Sequence, residues 1–168
     1  RMATALDSVP ALFNSLPERT VTSPLLTAMY ESGTFGRKTG SGFFDARDNA
    51  KNCQLTPLAT EVIAQHRRLD NCFTPEMITQ RLFLPMLLEA TRILEESVVA
   101  RPEDIDRALR DGLGFSQPCG GLLRWAEHIG TRTILEWITP LEHLGARFLP
   151  TPLLAEGDRK RSRRAEAA

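Results

Sequence analysis

The sequence predicts an all-α fold, and three observations predict it. Hydroxyl–proline pairs stand at the heads of apolar runs, apolar residues within those runs recur at helical spacing, and glycines follow several of them. The pairs are Ser23-Pro24, Thr56-Pro57, Thr74-Pro75 and Thr139-Pro140. In each, the hydroxyl can accept a first-turn amide, while proline lacks an N–H that would have no intrahelical partner there. Strand-like alternation is scarce apart from Gly42-Phe43-Phe44.

Helices are therefore expected near residues 24–33, 57–68, 75–97, 102–111, 121–129 and 132–144. The first two open at Ser23-Pro24 and Thr56-Pro57, with Glu61 adding negative charge near the start of the second. The third carries Ile78, Leu82, Phe83, Met86, Leu87, Ala90, Ile93 and Leu94 on more than one side, which predicts a place at the centre of a bundle. Within it, Pro85 deletes the bond to the Arg81 carbonyl, so a kink is expected. The fourth opens at Arg101-Pro102-Glu103-Asp104, turns Ile105, Ala108 and Leu109 inward, and predicts outer-face pairs Glu103/Arg107 and Asp106/Arg110. The fifth sets Leu122, Trp125, Ala126 and Ile129 on one face. Gly112, Gly130 and Gly145 sit where left-handed helix stops belong. Residues 46–56 read as a polar linker, and little is expected to be buried after Pro152.

At 168 residues, with 42% hydrophobic and 25% charged side chains, the chain reads as one medium soluble domain, or one domain and part of another. It is long enough to fold without disulfide or metal. Its net charge of zero is uneven. Arg159, Lys160, Arg161, Arg163 and Arg164 face only Asp158 and Glu166 in the last eleven residues, leaving 16 basic and 19 acidic residues elsewhere. The body thus offers no polyanion-binding face, and the tail reads as a solubilising terminus rather than a nucleic-acid contact. Cys53, Cys72 and Cys119 form no close pair, which suggests a reducing compartment. The longest apolar stretch, Leu82–Leu88, is interrupted by Pro85 and too short for a bilayer. With no secretory signal visible, a cytoplasmic protein is expected.

Several apparent sites weaken when their spacing is examined. Gly36-Arg37-Lys38-Thr39 lacks the glycines a phosphate-binding loop needs, since Arg37 and Ser32 occupy those places. Gly40 and Gly42 would need a third glycine at Asp45 to make a dinucleotide fingerprint. Cys119, between Pro118 and Gly120-Gly121, could act as a nucleophile only with His128 or His143 folded back, and a small residue in a tight turn is the simpler reading. The histidines show no zinc-ligand spacing. Trp125 and Trp137 read as core residues, and Glu89 reads either as a buried carboxylate or as a surface partner of Arg92. No catalytic, cofactor-binding or metal-binding residue is assigned.

Two stretches resemble one family. Gly36-Arg37-Lys38-Thr39-Gly40-Ser41-Gly42-Phe43-Phe44-Asp45 is similar to the signature closing the first C-terminal domain of 3-hydroxyacyl-CoA dehydrogenases. The run from Gln80 to Trp125, including Arg81-Leu82-Phe83-Leu84-Pro85, Arg101-Pro102-Glu103-Asp104-Ile105-Asp106, Leu113-Gly114-Phe115 and Gly120-Gly121-Leu122-Leu123-Arg124-Trp125, resembles the second C-terminal helical domain of the multifunctional fatty-acid β-oxidation enzymes. Gly145-Ala146-Arg147-Phe148-Leu149-Pro150-Thr151-Pro152 is similar to that family's ending.

The resemblance implies a helical bundle of the 6-phosphogluconate/3-hydroxyacyl-CoA dehydrogenase C-terminal type, without a Rossmann domain. Residues 1–47 would end the first repeat, 48–71 form a linker with a short helix, 72–155 form the second repeat, and 156–168 form a disordered basic tail. It implies a parent enzyme that oxidises 3-hydroxyacyl-CoA with NAD, while no cofactor is expected in this chain. The family's substrate-positioning asparagine corresponds to Gln80, so that role is not carried over. The expected partners are the parent's NAD-binding domain or another subunit, with a possible acyl-CoA contact and self-association through exposed faces. Nucleic acid and membrane are not expected as partners. A stand-alone helical oligomerisation or scaffold module, without dehydrogenase activity, is the alternative.

Overall fold

The structure, a computed structural model, describes residues 14, 17–20, 23–45, 54–67, 72–115 and 120–157. The chain divides into two compact units, Arg1–Cys72 and Phe73–Ala168. Among the described residues the secondary structure is helical, joined only by isolated β-bridges, so the chain is all-α as the proline and glycine punctuation predicts.

The first unit holds helices α1 (Pro24–Glu31) and α2 (Pro57–His66). Their shared core is Met29, Ala59 and Val62, with Leu25, Ala28, Phe43 and Leu58 packed around it. Thr56 joins helix to loop. Its hydroxyl accepts the Ala59 amide at 3.2 Å and donates to the Gly42 carbonyl at 2.9 Å. Ser23 makes no such side-chain cap. The Gly36–Asp45 segment is a pair of tight turns organised by Thr39, whose hydroxyl accepts the Phe35 amide and faces the Gly36 and Ser41 carbonyls. Leu55, placed by sequence in the linker, instead bridges to Phe44. Residues 46–53, the remainder of that expected linker, lie outside the described residues.

The second unit is built from α3 (Pro75–Glu95), α4 (Pro102–Leu113), α5 (Leu122–Ile129) and α6 (Thr131–Ile138). Two 3₁₀ turns follow, Thr139–Leu144 and Ala146–Phe148, and residues 152–157 are again helical. Helix α3 starts at Thr74, whose hydroxyl accepts the Met77 amide at 3.2 Å. The Glu76 carboxyl is held below its usual range by its own backbone amide and then by the Thr74 hydroxyl. The helix runs on through Pro85 to Glu95. Leu84, Leu87, Leu88, Ile105, Leu122, Ile134, Ile138 and Phe148 form one core, together with Ala90, Ala126, Leu141 and Leu154. Burying each large aliphatic side chain stabilises the fold by roughly 1.5–3 kcal/mol before ordering entropy is set against it.

Four expectations need correction here. The buried positions of α3 all fall between Leu84 and Thr91, whereas Ile78 and Leu82 are 48% and 61% exposed, so only its C-terminal half is central. The stop after α4 is Gly114 in the left-handed region (φ 66°), while Gly112 lies within the helix. Thr139-Pro140 opens a 3₁₀ turn, because the Thr139 hydroxyl bonds back to the Leu135 carbonyl at 2.9 Å and Pro140 has no amide with which to extend α6. Finally, the chain after Pro152 does bury a residue: Leu154 is 8% exposed.

Helix α3 ends in two reverse bonds, from the Ser97 amide to the Leu94 carbonyl and from the Val98 amide to the Ile93 carbonyl. They place Ser97 at φ 56°, the one non-glycine positive φ among the described residues. Relief of about 1–2 kcal/mol of left-handed strain, less about 0.4–1 kcal/mol of unfolded-chain entropy, predicts that Ser97→Gly stabilises the unit by roughly 0.5 kcal/mol. A denaturant midpoint that falls in the variant would contradict this.

Candidate functional site

The most specific polar arrangement lies where α4 meets α5. Helix α5 starts after Gly120-Gly121, which supply no side chain to hold its free amides. Asp106, on α4 and only 8% exposed, supplies the acceptor from outside. Its carboxylate oxygens accept the Leu123 amide at 2.9 Å and the Arg124 amide at 3.3 Å. Gly121 has φ 141°, and a Cβ there would fall 2.2 Å from the Asp106 carboxyl carbon. Aspartate and glycine are therefore interlocked: the missing side chain leaves room for the carboxylate that caps the helix.

The outer-face pair expected between Asp106 and Arg110 does not form, because Asp106 turns inward; Arg110 binds Asp111 at 3.0 Å. Arg107 likewise makes no ion pair with Glu103. Arg101 instead grips Asp104 with two bonds of 2.9 and 3.0 Å, lowering that carboxyl and raising its own guanidinium. Beside the capped helix start lies an open cleft of about 240 Å³, lined by Glu103, Asp106, Arg107, Arg110, Gly120 and Arg124.

A second feature binds the end of the chain to α3. Arg92 donates to the Ala146 and Leu149 carbonyls at 2.9 and 3.1 Å and pairs with Glu89 at 3.3 Å. The buried Thr151 hydroxyl bonds Thr91 at 2.9 Å, and Glu95 accepts the Leu153 amide. Arg92 is indeed the partner of Glu89, but with side chains 14% and 33% exposed the pair is part-buried, between the buried and the surface readings. Glu89 balances the arginine that clamps residues 146–149.

Trp125 and Trp137 pack half-buried against the core in an aromatic row. Phe115 meets Phe83 at 5.4 Å, Phe83 meets Trp125 at 5.9 Å, and Trp125 meets Trp137 at 6.3 Å between ring centroids. His128 bonds the Arg124 carbonyl at 2.7 Å, as a helical side chain does, and His143 is exposed. Gln80 is half-buried in the less buried half of α3. Cys119, Cys53 and the basic tail from residue 158 lie outside the described residues. Among the described residues no cluster of histidine, cysteine and carboxylate could hold a metal, and no helix is long and apolar enough to cross a membrane.

The second unit is thus a small helical domain ordered by an interhelix cap and a clamped chain end. Residues 77–156 match the family model described as 3-hydroxyacyl-CoA dehydrogenase, C-terminal domain. The match takes in α3 almost from its start, the Asp106–Gly121 lock and the clamped segment.

Proposed function

We propose that the chain is the C-terminal helical portion of a 3-hydroxyacyl-CoA dehydrogenase of fatty-acid β-oxidation, whose parent oxidises 3-hydroxyacyl-CoA to 3-oxoacyl-CoA with NAD. Its own work is structural: packing against the NAD-binding domain or another subunit and helping to cover the acyl-CoA cleft. The observation that carries this reading is the family match over residues 77–156. The polar groups described above support it, because Asp106, Glu89, Arg92 and Thr151 are engaged in internal bonds that hold helices together.

The less buried half of α3 favours contact with another surface. Phe73, Met77, Ile78 and Leu82 are between 40% and 61% exposed, and such a group of large apolar side chains is a reason for association. The chain alone, given NAD and 3-hydroxyacyl-CoA, is expected to form no NADH, and light scattering is expected to show self-association that grows with concentration. Turnover by the purified chain would overturn the structural role. A monomer at every concentration would remove self-association and leave the family assignment untouched.

A further inference from the structure

We infer that the cleft between α4 and the start of α5 is a binding site for a phosphoryl group, held by Arg107, Arg124 and Arg110. Three arginines line one concavity of about 240 Å³. The helix dipole is not the source of attraction, since the Leu123 and Arg124 amides already bind Asp106. The Asp106 carboxylate keeps its negative charge in that bonding, and the bonding fixes where its oxygens point. Asp106 spends its oxygens on backbone amides and forms no ion pair with an arginine of the lining.

Among the described residues Arg107 and Arg124 have no carboxylate within ion-pair distance, and Arg110 reaches only the exposed Asp111. Glu103 is the remaining acid of the lining. Three arginines thus line the cleft against two carboxylates, Glu103 and Asp106, an excess of one positive charge, with Asp104 and Asp111 acting on Arg107 and Arg110 from outside the lining. Arginine is the side chain suited to this task, because its planar fork offers parallel N–H donors to phosphoryl oxygens and is always charged.

The backbone shapes the site as well. Gly120 has φ 79°, and a Cβ there would approach the Arg124 Cδ to 3.0 Å. The glycine therefore leaves the Arg124 stem room beside the turn. The spacing of Arg107 and Arg110, three residues apart on α4, sets both on one side of that helix. A phosphoryl group on a larger molecule fits better than a fully enclosed free ion, because the cleft is open to solvent. Such a site does not require the chain to act within a dehydrogenase, and its failure would leave the family assignment standing.

Calorimetric titration of the full chain at low ionic strength tests this, with coenzyme A, dephospho-coenzyme A and inorganic phosphate as probes. Coenzyme A is expected to bind, to be displaced by inorganic phosphate, and to weaken as salt is added. Arg107→Gln and Arg124→Gln should each weaken binding about 10-fold, as the loss of a charge-assisted bond implies. Arg132→Gln, at an exposed arginine paired with Glu136, should leave it unchanged. Dephospho-coenzyme A binding as well as coenzyme A would make the diphosphate the group held; a large loss would make it the 3′-phosphate. Absence of phosphate-competed binding, or equal binding by wild type and the Arg107→Gln/Arg124→Gln double variant, overturns the site.

Discussion

Gly121→Ala is expected to destabilise the second unit by about 3–5 kcal/mol, since it adds a methyl group to a filled space and forces a side chain onto a disfavoured φ. The methyl would fall 2.2 Å from the Asp106 carboxyl carbon and 2.4 Å from one of its oxygens. Backbone and carboxylate must then separate, and the Leu123 and Arg124 amides lose their acceptor. Asp106→Ala alone should cost about 1–3 kcal/mol, the range for a lost cap and unpaired buried amides. The two changes share one contact, so the double variant should be less damaged than the sum of the single ones. Urea denaturation of the four proteins measures this coupling; strict additivity would mean that the lock is not the source of the loss.

The second large effect is expected at Phe148, which is 2% exposed and sits in the core formed with α3. Phe148→Ala should cost about 3–5 kcal/mol, through lost burial and the cavity left behind. Small domains are stable by roughly 5–15 kcal/mol, so the variant should unfold at markedly lower urea. Arg92→Met keeps much of the stem but removes the bonds to the Ala146 and Leu149 carbonyls, and should cost about 1.5–3 kcal/mol. The clamp and the aromatic anchor hold the same segment, so their effects should couple by more than about 0.5 kcal/mol. A Phe148→Ala midpoint within error of wild type would show that the chain end does not contribute to the core.

The starts of most helices were legible because proline and its preceding hydroxyl residue act locally. Thr56 and Thr74 cap their helices with the side chain, as their position implies. Local rules misled where a distant group intervened. Asp106 looks like an i,i+4 partner of Arg110, and only the approach of α5, some 17 residues on, draws it inward. The available clue was negative: Gly120-Gly121 starts a helix with no side chain to cap it, so an acceptor must come from elsewhere. Helix α3 misled by its composition, since Ile78 and Leu82 carry the same periodicity as Leu87 and Leu88 but lie outside the core. Periodicity records which face is apolar, not what covers it. The arginine-lined cleft left no motif because its members come from two helices and meet only through the Asp106 cap.

The bonds from Arg92 to residues 146 and 149 have a consequence for biosynthesis. They span 54 and 57 positions, and the Thr91–Thr151 bond spans 60. A nascent chain that has just released α3 from the ribosome cannot yet close this part of its hydrophobic interior, because Phe148 and Leu154 are still to be translated. Leu84, Leu87 and Leu88 then wait with incomplete cover, and a stop codon shortly before position 148 would leave that cover permanently missing.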